Sequence, residues 1–241
     1  MSELKNPSDG VAVRFSKNCQ WLAVFLMSVL LSGSAMAEWT GGIEGGTVVR
    51  DSGNATRLRV VLSNNTRPLS QYIYAEWLRS GAERNSYSVG YNPRYWLNNT
   101  YYTFGESEVR VDDFLGIDQE LRLLAGLGGQ FLNSAEQALY IELGVGGRSI
   151  EFDNMENTRN EALGLARLGY FRTVADAIKF DLKLSGGLSS DEVTEASGEI
   201  GVSLRVPNGA VRLAYRSRYL QVEDFESITD NDSFVSFGYS F

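Results

Sequence analysis

Arg212, Arg216 and Arg218 stand at even spacing near the end of the chain. In a strand, side chains at even spacing share a face, so these guanidinium groups form a stripe. A bare stripe prefers anions; set against Glu199 and other acids it becomes half of an ion-pair network. Charged residues at matching spacing recur upstream: Arg57 and Arg59, Glu76, Glu120 and Arg122, Glu142 and Arg148, Lys179, Asp181 and Lys183, and Glu199 and Arg205. With Arg212 and Arg216 these are the candidate lumen-lining residues. Their mixed signs fit two chemistries: a narrow charged passage for small polar solutes, or a self-compensating filling that keeps a small barrel shut.

Catalytic chemistry is sparse. The chain has no histidine, and its one cysteine is Cys19. That removes Ser–His and Cys–His nucleophiles, His proton shuttles and the usual nitrogen and sulfur zinc sites. A carboxylate-only enzyme stays open, since paired acids hydrolyse glycosides, but no Asp/Glu pair can be placed at a working distance. The expectation is a protein that is not an enzyme and that uses no metal or cofactor. Asp112, Asp113, Asp153, Glu156, Asp191, Glu192, Glu223, Asp224, Glu226, Asp230 and Asp232 read as acidic outer loops, solvated rather than metal-binding, because no EF-hand spacing appears. Gly41-Gly42 and Gly45-Gly46 resemble phosphate loops only superficially, because no helix follows them. Tyr95, Trp96, Tyr101, Tyr102 and Phe104 read as an interfacial girdle before a sugar-stacking platform.

The elements that must position these groups are strands. Period-two alternation runs through the chain. In Ala177–Leu188, Ile178, Phe180, Leu182 and Leu184 oppose Lys179, Asp181, Lys183 and Ser185; Ala138–Phe152, Gln119–Phe131, Ala196–Val206 and Ala210–Leu220 alternate in the same way. The facing of Asn160–Phe171 is ambiguous. About twelve such segments are predicted, each near the ~9–11 residues that cross a bilayer at a tilt. Flipping Ala177–Leu188 by one residue would put two lysines and an aspartate into lipid, at ~2–4 kcal/mol for each lysine near the midplane. The charged faces therefore point inward. Gly126, Gly128, Gly144 and Gly146 share them, making room for long side chains or letting strands bend. Pro93 cannot donate to a ladder, which predicts that its strand ends near Tyr91.

The two ends agree with export. Lys5, Arg14 and Lys17 precede an apolar run from Trp21 to Leu31, and Ala35-Met36-Ala37 is an A-x-A cleavage pattern, so residues 1–37 read as a signal peptide and residues 38–241 as one domain. Removing residues 1–37 leaves 19 basic against 28 acidic residues, a formal net charge of −9, which argues against nucleic acid. At the other end Val235, Phe237, Tyr239 and Phe241 share one face. That aromatic strand predicts contact with outer-membrane lipid and with the barrel-insertion machinery. The fold expected is all-β: a closed antiparallel transmembrane β-barrel of about twelve strands. The alternative is a soluble periplasmic β-barrel or sandwich with the alternation inverted.

Trp39-Thr40-Gly41-Gly42, Ser52-Gly53-Asn54-Ala55-Thr56, Val111-Asp112-Asp113-Phe114-Leu115-Gly116-Ile117-Asp118, Gly126-Leu127-Gly128-Gly129 and the stretch from Ala138 to Gly146 together resemble the YdiY-like salt-induced outer-membrane proteins. The resemblance covers nearly all of the mature chain. It implies localisation in the outer membrane of a Gram-negative bacterium and a role as an envelope component or narrow passive pore related to salt or osmotic stress. It brings no catalytic residues. Gly129 stands where that family usually has tyrosine, and Ser236 where the barrel-insertion signal prefers glycine.

Overall fold

The computed structural model describes residues 39–50, 53–80, 84–153, 158–190, 193–222 and 227–240. The signal-peptide assignment and the terminal aromatic Phe241 lie outside them. Twelve strands follow in chain order: β1 (Thr40–Arg50), β2 (Gly53–Asn64), β3 (Leu69–Ser80), β4 (Arg84–Trp96), β5 (Tyr101–Asp112), β6 (Ile117–Asn133), β7 (Gln137–Phe152), β8 (Arg159–Ala175), β9 (Ile178–Ser189), β10 (Thr194–Val206), β11 (Gly209–Gln221) and β12 (Ile228–Ser240). Each pairs antiparallel with its sequence neighbours, and β12 returns to β1 through a ladder from Gly42↔Ser240 to Arg50↔Asp232. Closure satisfies every strand edge within the sheet, as a bilayer demands.

The alternation sorts side chains as the charge argument requires. On β7, Leu143 and Val145 are 63% and 71% exposed outward, while Glu142 and Arg148 are 2% and 3% exposed inside. Leu58, Leu123, Leu127, Ile200, Leu213 and Val235 extend the exposed apolar belt around the wall. β8 resolves the ambiguous segment: the register Arg148↔Glu161, Glu142↔Arg167 turns its odd-numbered residues inward.

Three expectations change. Strands of 11 to 17 residues overrun the length needed to span hydrocarbon, so Asp112, Asp230 and Asp232 belong to strands rather than to solvated loops. Asp112 and Asp232 are fully buried, held there by arginines that a loop position would forfeit. Second, β4 does not stop at Tyr91 but continues through Pro93 to Trp96. Pro93 pairs with Gln71 of β3. The ladder to β5 lapses between Tyr91↔Ser107 and Arg94↔Phe104 without changing register, because a missing N–H removes a bond and leaves the strand direction intact. Gly105 lies alongside, with the Pro93 ring 3.4 Å from where its Cβ would stand. Third, the aromatic group splits. Tyr95 and Tyr101 are half exposed on the outside, whereas Tyr102 and Phe104 are buried within.

Inward glycines carry these inner rings. The Tyr102 ring lies 2.3 Å from a notional Cβ on Gly128, and Phe104 covers Gly126 and Gly144. A notional Cβ on Gly146 would lie 2.0 Å from the Leu123 carbonyl oxygen, so the close packing of β7 on β6 requires glycine there.

Leu143→Arg places a cation in the middle of the apolar belt and is expected to cost ~2–4 kcal/mol, against about 0–1 kcal/mol for Glu151→Arg near the strand end. Reversible denaturant unfolding in lipid vesicles measures both.

Candidate functional site

Among the described residues, the lumen is the enclosed polar space that the fold builds. The start of β1 and the end of β12 lie at one end of the barrel. The strand ends joined by the two six-residue connections, 153–158 and 222–227, lie at the other, which makes the end with the shorter turns periplasmic.

The outer half is filled. Arg218 of β11 pairs with Asp112 of β5 and with Asp230 of β12. β11 and β5 are six strands apart in a ring of twelve, so this pair spans the full width. Arg50 meets Asp232 at 2.5 Å and stacks over the Phe114 ring at 3.7 Å. A second cluster ties β6, β7 and β10. Glu195 accepts from both Arg122 and Arg148 at 3.1 Å, Arg148 reaches Glu161 at 2.8 Å, and Glu120 takes Arg110 and Arg122. Gly187 leaves the space through which Glu195 reaches them, its notional Cβ lying 2.9 Å from Glu195 Cγ.

Apolar side chains close the rest of the mouth. The turn between β5 and β6 drops Phe114 and Leu115 into it. Leu115 packs with Ile117, Ile150, Phe152, Val193, Leu220 and Val222. Phe114 packs on the other side against Val48, Ala55, Leu78, Ala214 and Phe234. Asp112 holds this turn by accepting from the Phe114 amide at 3.2 Å and Asp113 by accepting from the Asn85 amide at 2.7 Å; Gly116 supplies a φ of +65°. The stretch that carries the strongest family resemblance is therefore a stopper.

The periplasmic half is open. Two adjoining cavities of about 480 and 260 Å³ share Arg59, Tyr140 and Lys183 in their linings. Around them Arg94 meets Glu142 at 2.8 Å, Arg167 donates to Glu106 at 2.7 Å, Lys183 meets Glu199 at 2.9 Å and Arg212 bridges Asp181 and Glu199. Glu76 gathers Arg57 at 2.7 Å, Arg216 at 3.0 Å and, more distantly, Arg59 at 3.9 Å.

All the candidate lumen residues except Arg205 are brought into these layers. Arg205 shares the inward parity but sits exposed beside the Pro207-Asn208 turn, lining neither cavity. The basic stripe of Arg212, Arg216 and Arg218 is neutralised residue by residue. Glu44, Arg50, Arg94, Glu106, Arg110, Glu161, Arg167 and Glu195 also belong to the network, joined to it by partners on other strands that the local sequence does not reveal. Among the described inward carboxylates, Glu108 is the exception to ion pairing and takes a hydrogen bond from Tyr74. No group of three or more potential metal ligands converges among the described residues.

A closed antiparallel barrel with an apolar belt and an ionic interior is a transmembrane β-barrel of the outer-membrane type. The chain belongs to the family described as "Protein of unknown function, DUF481", which matches residues 65–241, in agreement with the YdiY-like resemblance. Its fold is shared with the KdgM porin, at TM-score 0.50 and 10% identity over 83% of this chain and 99% of that one. An outer membrane channel from Pseudomonas putida F1 (TM-score 0.47, 8% identity, 84% and 94% coverage) and the DcaP channel of Acinetobacter baumannii (0.44, 9%, 85% and 97%) are also similar. No curated protein sequence matches. The protein is a β-barrel of the outer-membrane type.

Two expected outcomes follow from this geometry. Glu195→Ala removes the carboxylate that Arg122 and Arg148 share, leaving Arg122 with Glu120 and Arg148 with Glu161, and should cost roughly 1–3 kcal/mol, read by thermal unfolding in detergent. In the outer turn after β7, partial burial, a hydrogen bond with Asp118, and the charges of Asp118 and Asp113 push the Asp153 carboxyl up to about 6. Its folded value exceeds its unfolded one, so its contribution is full at low pH and lost as pH rises through about 6. An NMR titration should place its midpoint there, and Asp118→Asn should return it toward the ordinary carboxylate range.

Proposed function

We propose that this barrel is a non-catalytic envelope component whose lumen is a cup open to the periplasm and closed to the outside. It conducts passively only when the outer stopper is displaced. The observation that carries this reading is the Arg218–Asp112 pair across the full width of the barrel, with Phe114 and Leu115 packed over the same level. The porin-like fold supports a barrel that can form a passage; the filled outer half supports one that is shut. Solutes traverse neither a buried ion-pair layer nor a packed apolar one.

The same ion pairs speak against catalysis by carboxylates. Paired acids need one member free to give or take a proton, and here each described inward carboxylate except Glu108 lies within 4 Å of a cation. Glu108 has no free partner at working distance. The apolar belt and the aromatic face of β12 support lipid as the surrounding partner and the barrel-insertion machinery as the folding partner. The resemblance to salt-induced proteins supports a setting of salt or osmotic stress.

Planar-bilayer recording on the purified mature protein tests the closure. The native barrel should show no conductance steps, and a variant that removes both layers, Phe114→Ala/Leu115→Ala combined with Asp112→Ala/Arg218→Ala, should show them. Steps in the native protein of a size expected for an open twelve-strand lumen would overturn the reading.

A further inference from the structure

Arg212, Arg216 and Arg218 are held by close carboxylates, but among the described residues of the periplasmic cup Lys179 has no carboxylate partner and Arg59 has only a distant one. Lys179 lies near the periplasmic end of β9 and faces inward. Its ammonium rests 4.2 Å over the Phe171 ring and has no carboxylate within 4 Å. The nearest acid on its own face, Asp181, is already held by Arg212 at 2.6 Å. Arg59 of β2 reaches only Glu76, at 3.9 Å, a carboxylate engaged more closely by Arg57 and Arg216. Its Nη2 donates to the Tyr72 hydroxyl at 2.9 Å, and its Nε is buried with no hydrogen-bond acceptor. Both side chains line the 260 Å³ cavity, and Arg59 also lines the 480 Å³ one.

The balance of the whole cup points the same way. The two cavities are lined by seven cationic side chains and five carboxylates, within a chain whose overall charge is strongly negative. A positive surplus enclosed by low-dielectric walls focuses potential on whatever enters. The remaining lining is built for a hydroxylated body. Tyr72 and Tyr140 present ring faces and hydroxyls, Asn65, Gln71 and Asn92 offer amides, and the space is of the size that holds a small organic ligand.

We infer that Arg59 and Lys179 form a binding site for a small organic oxyanion, a carboxylated or phosphorylated hydroxy compound, that enters from the periplasm. The oxyanion takes the Lys179 ammonium and the part of the Arg59 guanidinium that lines the cavities. The hydroxyl-bearing remainder lies toward Tyr72 and Tyr140. The site needs the cup to be reachable from the periplasm, as proposed above, but it does not need the outer end to be shut.

The test is calorimetric titration of the full mature barrel in detergent with glucose 6-phosphate, gluconate, inorganic phosphate and glucose. Both organic anions should bind, and more weakly as salt is added. Inorganic phosphate should bind less tightly than glucose 6-phosphate, and glucose should not bind. Lys179→Gln, at an exposed position that folding does not depend on, should weaken the anions by about fivefold or more, as loss of one charge-assisted contact does. Arg59→Gln should do the same with heat-modifiable gel mobility unchanged, and Arg205→Gln at the turn should change nothing. Absence of binding by either organic anion, equal binding of glucose, phosphate binding as tightly as its sugar ester, or indifference to Lys179→Gln would each overturn the assignment. A barrel that conducts yet binds anions through Lys179 refutes the outer closure alone; a silent barrel that binds neither anion refutes the site alone.

Discussion

Charge enclosed by the barrel wall must be answered by charge inside the same wall. Arg148 and Glu161 have no exposed side-chain surface and lie 2.8 Å apart. Removing Arg148 would leave Glu161 away from water with only Arg159, at 3.9 Å, at a cost comparable to a large part of a domain's stability. This requirement governs much of the remaining architecture. It fixes register, since a one-residue slip of any strand would turn its inward ions out into lipid. It also dictates where side chains must be absent: the long reach of Glu195 to Arg122 and Arg148 passes over Gly187.

The two ends of the lumen solve the requirement differently. Toward the outside the pairs run across the barrel, β11 to β5 and β6 to β10, and so occupy the space a solute would use. Toward the periplasm several pairs run between strands close together on one wall, as with Lys183–Glu199 and Arg212–Asp181, and the middle stays open. Cross-barrel pairing is a filling; wall pairing is a lining. The apolar stopper completes the difference. Its turn is held by Asp112, which serves twice: one oxygen caps the Phe114 amide and the other receives Arg218. A single carboxylate thus links the closing turn to the ion pair beneath it.

The alternation of apolar and charged residues was enough to recognise strands, their number, the facing of most of them and the membrane they cross, while β8 took its facing from the register with β7. Each of these follows from a local rule: side chains alternate across a strand, and lipid rejects ions. Leu143 beside Glu142, or Ile178 beside Lys179, carries that information in two adjacent positions. Pairing across the lumen is not local. Glu76 meets Arg216 from 140 positions away, and nothing near either residue announces the other. Arg212, Arg216 and Arg218 could therefore be read locally either as a bare cationic stripe or as half of an ion-pair network, and Asp112, Asp230 and Asp232 looked like solvated loop acids, until closure of the sheet brought them together. Tertiary structure alone decided which cations end up balanced, which leaves Arg59 and Lys179 over, and at which end the lumen is open, because those outcomes depend on distances set only when β12 meets β1.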